Sequence, residues 1–149
     1  MTELDELYQE IVMDHNRKPR NFRKLEGANL TADGFNPFCG DAVTLYLIVE
    51  DEVIRDVAFQ GSGCAISRAS VSMMTDEIKG KTVVEVGSLF DAFHDLLTHG
   101  QSEGVDTPDL GDLEVLSGVS DFPTRVKCAT LSWHTLRGAL RGDNKVSTE

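Results

Sequence analysis

The sequence predicts an α+β fold in which a small antiparallel three-stranded sheet is packed by helices. Three observations carry that reading. The 149 residues are 40% apolar and 26% charged, which suits one ordinary domain with a proper core. Apolar positions recur with the helical period at the N-terminus, give way to β-branched and aromatic runs after Gly27, and return to helical spacing after Cys64. The order helix, strands, helices is that of an α+β chain. No internal repeat or linker divides it, so one domain is expected over 1–149.

Each element has its own signal. Leu4, Leu7, Tyr8, Ile11 and Val12 fall at i, i+3, i+4, i+7 and i+8, which marks an amphipathic first helix. The period fades from Asp14 to Arg20, where Pro19 opposes continuation. Arg17, Lys18, Arg20, Arg23 and Lys24 form the one concentrated basic stretch of the sequence. A strand is expected near Ala28 to Asp33, then the turn-rich loop Phe35 to Asp41. Val43–Val49 and Val53–Gln60 read as a hairpin across the polar turn Glu50-Asp51-Glu52. Gly61-Ser62-Gly63 ends the hairpin, and Cys64 opens a helix that stops at Lys79-Gly80. Thr82 and Glu85 form a capping box for a helix from Val83 to Thr98, with Gly100 as its stop. Gln101 to Asp112 is an acidic loop, followed by a short helix around Leu113 to Leu116. The last helix begins near Pro123 to Arg125, buries Ala129, Trp133, Leu136 and Leu140, and closes at Gly142. Residues 143–149 are expected to fray.

Several function classes are set aside at this level. Lys and Arg total 14 against 25 Asp and Glu, and the net charge of −11 repels nucleic acid. The apolar run Val43 to Val49 is too short to span a bilayer, and the acidic N-terminus lacks a signal peptide's basic-then-apolar pattern. A cytoplasmic setting is therefore expected, where three cysteines persist as thiols. Gly61-Ser62-Gly63 lacks the third glycine of a dinucleotide loop, since Ile66 stands there. Gly80-Lys81-Thr82 lacks the first glycine of a P-loop, since Thr75 stands there. His94 and His99 are five residues apart, not the four that aligns two zinc ligands on a helix. His15 and His134 read as surface or hydrogen-bonded residues rather than ligands.

The chemistry rests on Cys39, Cys64 and Cys128. Their spacing lacks a CxxC pair, so spacing alone leaves both a metal site and three unrelated buried thiols open. Local context favours the metal. Cys39 sits in a tight turn between Pro37 and Gly40, Cys64 starts a helix, and Cys128 lies early in the last helix. The positive ends of those helix dipoles should lower the thiol pKa values of Cys64 and Cys128. Asp41, two residues after Cys39, points to the same side of an extended segment. Three thiolates and a carboxylate suit tetrahedral zinc, although Asp41 also reads as a plain turn or capping residue.

Three blocks then add up to a resemblance. Asn36-Pro37-Phe38-Cys39-Gly40-Asp41, Gly61-Ser62-Gly63-Cys64-Ala65-Ile66-Ser67-Arg68-Ala69-Ser70 and Arg125-Val126-Lys127-Cys128-Ala129-Thr130-Leu131-Ser132-Trp133 resemble the cysteine blocks of the SufU/IscU/NifU-N iron–sulfur cluster assembly family. The resemblance covers nearly the whole chain, including Leu7-Tyr8, Asp14-His15 and Pro19-Arg20-Asn21. It is closer to the SufU type. Lys127 stands where IscU-like members carry a histidine, and Asp121-Phe122-Pro123-Thr124-Arg125 replaces their Leu-Pro-Pro-Val-Lys chaperone motif. Residues 100–120 match the longer SufU-type insertion.

That resemblance implies a zinc-dependent sulfurtransferase. It would accept persulfide sulfur from a pyridoxal-phosphate cysteine desulfurase of the SufS type and feed iron–sulfur cluster assembly, with Suf scaffold proteins downstream. It implies zinc held by Cys39, Asp41, Cys64 and Cys128, with Cys39 as sulfur acceptor. Arg125, about one helical turn before Cys128, would orient the site or contact the donor, and the basic stretch 17–24 would dock the desulfurase. The alternative is a scaffold that builds a transient [2Fe–2S] cluster, or holds iron, on the same cysteines.

Overall fold

Gly27 does separate helical from extended chain. In the computed structural model, which describes residues 3–37, 40–99, 113, 116, 123–143 and 145–147, helix α1 covers Glu3–Arg17 and is followed by strands β1 Leu30–Asn36, β2 Asp41–Glu50 and β3 Val53–Ser62. Helices α2 Ala65–Ile78, α3 Val83–His99 and α4 Pro123–Arg141 come next, and strand β4 Lys145–Ser147 closes the order. Thr82 and Glu85 form the expected capping box, with reciprocal hydrogen bonds of 3.1 Å from Thr82 N–H to Glu85 and from Glu85 N–H to Thr82.

The sheet departs from expectation. Among the described residues it is four-stranded and mixed, in the order β3-β2-β1-β4, rather than three-stranded and antiparallel. β1 and β3 pair with β2 antiparallel, while Asp33–Phe35 of β1 pair in parallel with Lys145–Ser147. Part of the tail expected to fray is therefore a strand. The reason is tertiary: α4 returns the chain alongside β1, and Val146 packs against Gly138, where any Cβ would collide with its methyl. Three residues carry no strand signal of their own.

Two boundaries also move. α1 continues through Asp14–Arg17, because its polar side chains bond to α2 instead of breaking the helix. His15 Nδ1 and Ser72 Oγ lie 2.7 Å apart, and Asn16 donates to the carbonyls of Val12 (2.8 Å) and Ala65 (3.0 Å). His15 is thus buried and hydrogen-bonded, as expected of a residue that is not a ligand. β1 runs on to Asn36 because Phe35 and Asn36 pair with Ala42 and Asp41, so both ends of the expected Phe35 to Asp41 loop are strand.

The inner sheet face alternates as period-2 strands must: Ala32, Gly34 and Asn36 on β1, and Asp41, Val43, Leu45 and Leu47 on β2. Helices α2 and α4 lie against it with Met73, Met74, Ile78, Leu131, Trp133 and Leu136. Leu113 and Leu116, the described residues between positions 100 and 120, are fully buried in the same core. The side chains of Leu4, Leu7 and Tyr8 lie outside the described set. Among the described residues, no helix is long and apolar enough to cross a membrane.

An aromatic joint links α3 to α4. The Phe93 and Trp133 rings stack with centroids 5.1 Å apart, and Arg137 lies 3.8 Å above the Phe90 ring. His134 meets Phe90 edge-on at 5.3 Å. Burial pushes the His134 imidazole below its usual range, and the His94 and Arg137 charges add to the shift.

Two expectations follow from this packing. Gly138→Leu should displace Val146 at a cost of about 1–3 kcal/mol, read as a melting point lower by roughly 3–8 °C for a chain of this size. For His134, the unfolded chain binds more protons than the folded one below about pH 6.5. Stability should therefore fall as pH drops from 6.5 toward the lower folded-state value, and His134→Gln should flatten that part of a melting-point profile.

Candidate metal centre

The apolar inner face of the sheet ends in two polar residues, Asn36 and Asp41, paired across β1 and β2. Asp41 is fully buried. A carboxylate there must be hydrogen-bonded or paired with a cation. Its Oδ1 accepts the Cys64 N–H at 2.8 Å, and its Oδ2 lies 3.3 Å from Asn36 Nδ2 and 3.8 Å from Cys64 Sγ. Gly63 permits this approach: a Cβ there would sit 2.5 Å from Asp41 Oδ1.

Cys64 is the N-cap of α2, with φ −69° and ψ 166°. Its sulfur takes the place of the usual capping oxygen and accepts the Ser67 N–H at 3.4 Å. Cys128 comes from the second turn of α4 and is 2% exposed. The Asn36 amide reaches its sulfur at 3.6 Å. Ser70 on α2 donates to the Ala129 carbonyl on α4, which ties together the two helices that carry these cysteines.

The ligand atoms of Asp41, Cys64 and Cys128 all lie within 4.8 Å of one another. Zinc bonds of about 2.3 Å to sulfur and 2.0–2.2 Å to oxygen put tetrahedral ligand atoms about 3.5–3.8 Å apart. The observed 3.8 Å between Cys64 Sγ and Asp41 Oδ2 is such an edge. Two sulfurs and a carboxylate oxygen form a donor set that suits this metal, with one position left for a further ligand.

The electrostatics correct one expectation. The helix N-terminus does not leave the Cys64 thiol more acidic. Burial pushes its pKa up and the Asp41 carboxylate adds to that, while the Ser67 N–H acts in the opposite direction. A cation among the three residues reverses the balance, because a coordinated thiol is deprotonated.

The other anticipated residues are placed as follows. Cys39 lies outside the described residues. Arg125 is exposed, one turn before Cys128 on α4. In the basic stretch 17–24, Arg20 pairs with Asp14 at 2.6 Å, and Arg23 pairs with Asp56 at 3.0 Å. Two of its five positive charges are thus answered within the chain. Sequence reasoning named Asn36, Gly63 and Ser67 only as parts of motifs. Asn36 gave no signal of its own, since an asparagine before Pro37 reads as a turn residue.

The sequence profile of the NifU-like N-terminal domain family matches residues 7–129. The chain belongs to that family. Among its relatives is the zinc-dependent sulfurtransferase SufU of Bacillus subtilis, 44% identical over 133 residues that cover 89% of this chain and 88% of the relative. The iron–sulfur cluster assembly scaffold protein IscU of Streptococcus pyogenes is 40% identical over 141 residues, covering 95% and 87%. The crystal structure of a candidate SUF-system cluster assembly scaffold from Fervidobacterium islandicum superposes with a TM-score of 0.80 at 37% identity, covering 91% of this chain and 97% of that one.

Gly63→Ala should leave the fold largely intact but push Asp41 out of the cluster. Isothermal titration with zinc should show an affinity lower by about 10–100-fold, the size of effect seen when the support of a metal ligand is lost. Zinc is held by thiolates, so coordination by Cys64 and Cys128 displaces their protons. Affinity should then rise by about tenfold per pH unit for each proton displaced, up to and beyond neutral pH.

Proposed function

We propose that this protein is a zinc-dependent sulfurtransferase that accepts persulfide sulfur from a cysteine desulfurase and passes it toward iron–sulfur cluster assembly. The observation that carries the reading is the Asp41–Cys64–Cys128 donor set, with Asp41 and Cys128 buried and Cys64 half-buried. Its remaining position falls to Cys39, which is two residues before Asp41 in the chain. Covalent geometry keeps the Cα atoms of residues so spaced within about 7 Å. Zinc, when bound, keeps its thiolate ligands deprotonated at neutral pH and guards them from oxidation.

The chain's own residues then have distinct tasks. Asp41 presents a carboxylate oxygen, held by the Cys64 N–H, and adds negative charge beside the sulfurs. Cys64 and Cys128 anchor the metal from two helices locked together by Ser70. Cys39 is the acceptor: its thiolate attacks the outer sulfur of the donor's persulfide. The new S–S bond forms as the old one breaks, leaving Cys39 as a persulfide and the donor cysteine as a thiolate. Arg125, exposed near the site, orients the donor, and the exposed Arg17, Lys18 and Lys24 contribute to docking a SufS-type desulfurase. Three cysteines that work as thiols fit a reducing cytoplasm.

The identity to proteins named as cluster scaffolds supports a second reading, in which the same cysteines hold a transient [2Fe–2S] cluster. One experiment separates the two. Alanine release by a SufS-type desulfurase, measured with and without the zinc-loaded protein, should rise on addition, and Cys39→Ala should remove the whole stimulation while leaving the other ligands in place. Stimulation that survives Cys39→Ala, or a protein that gains iron and sulfide but never stimulates, would favour the scaffold.

A further inference from the structure

Asn36 is the last residue of β1 and continues the inward row Ala32, Gly34 into the candidate metal centre. It is fully buried. A buried side-chain amide in this position is tolerated only where its polar atoms find partners. Its single –NH2 group carries two hydrogens, and two candidate ligand atoms lie within reach of it: Asp41 Oδ2 at 3.3 Å and Cys128 Sγ at 3.6 Å. Those ligands arrive from β2 and from α4, elements far apart in sequence. The carboxylate is consequently held at both ends, by the Cys64 N–H on Oδ1 and by Asn36 on Oδ2. Each carboxylate oxygen has two lone pairs, so Oδ2 can accept from Asn36 and still face the sulfurs.

We infer that Asn36 is a positioning residue of the centre, a carboxamide that sets the Asp41 carboxylate and the Cys128 sulfur in one fixed arrangement. The inference rests on the zinc reading above. Leucine at this position would remove this donor from both ligands and leave Oδ1 of Asp41 with the Cys64 N–H. Aspartate would place a second carboxylate against Asp41 and the sulfurs, and would withdraw the donors. A donor on the Cys128 sulfur also drains charge from it, so Asn36 shapes the ligand field as well as the geometry.

The test uses the full chain loaded with cobalt(II), whose visible bands report coordination geometry, together with zinc affinity from chelator competition. Asn36→Ala should retain the parent's far-ultraviolet circular dichroism, bind zinc about 10–100-fold more weakly, and shift the cobalt bands. Asn36→Ser, which keeps one donor, should fall between the two, and it decides the matter by the same criteria where Asn36→Ala does not fold. Parental affinity with parental cobalt bands in both variants would overturn the role of Asn36 alone. A parent protein whose cobalt spectrum shows no thiolate charge transfer, and does not respond to Cys64→Ser or Cys128→Ser, would overturn the zinc reading and this role with it.

Discussion

A fully buried carboxylate sets the terms for the rest of the structure. Asp41 ends the apolar row Val43, Leu45, Leu47, where the pleat turns its side chain inward, away from water. Its charge can be kept there only if donors converge on it. They come from two directions: the backbone N–H of Cys64 at the start of α2, and the side chain of Asn36 on β1. Meeting that demand draws the end of the β3 strand, the N-terminus of α2 and the end of β1 to one point. Gly63 has to be a glycine for the same reason. The centre is less an addition to the fold than the way the fold disposes of this charge.

The same arrangement explains why one donor set can serve more than one chemistry. Thiolates and a carboxylate accept either zinc or iron, and what differs is access and the fate of the metal. Cys128 on α4 is buried, and Cys64 is half-buried as a helix cap. The two sulfurs thus differ in how far solvent or a partner molecule can reach them.

Much of this could be read in the sequence, and the failures have physical causes. The helices were legible because Thr82 with Glu85, Gly80 and Gly142 punctuate them locally. The hairpin was legible because Val43–Val49 and Val53–Gln60 are rich in β-branched residues. Asp41, Cys64 and Cys128 could be chosen by their motifs, and the structure brings them together. What could not be read depends on contacts across the fold. The last turn of α1 survives because His15 and Asn16 find partners on α2, 49 to 57 residues away. The Cys64 thiol is less acidic than its helix position suggests, because burial, with the Asp41 charge beside it, outweighs the hydrogen bonds its sulfur accepts. Asn36 reads locally as a turn former and becomes a strand end only through its pairing with Asp41.

The parallel strand β4 has a consequence for association. Without it, β1 would border the sheet and offer its N–H and C=O groups to any extended chain, a common route to aggregation. Lys145–Ser147 occupies that border across Asp33–Phe35. It is short, and it carries a lysine, two devices that discourage a further strand from adding. The C-terminal residues thereby act as a guard rail, keeping neighbouring molecules from growing onto the side of the sheet that leads into the metal centre.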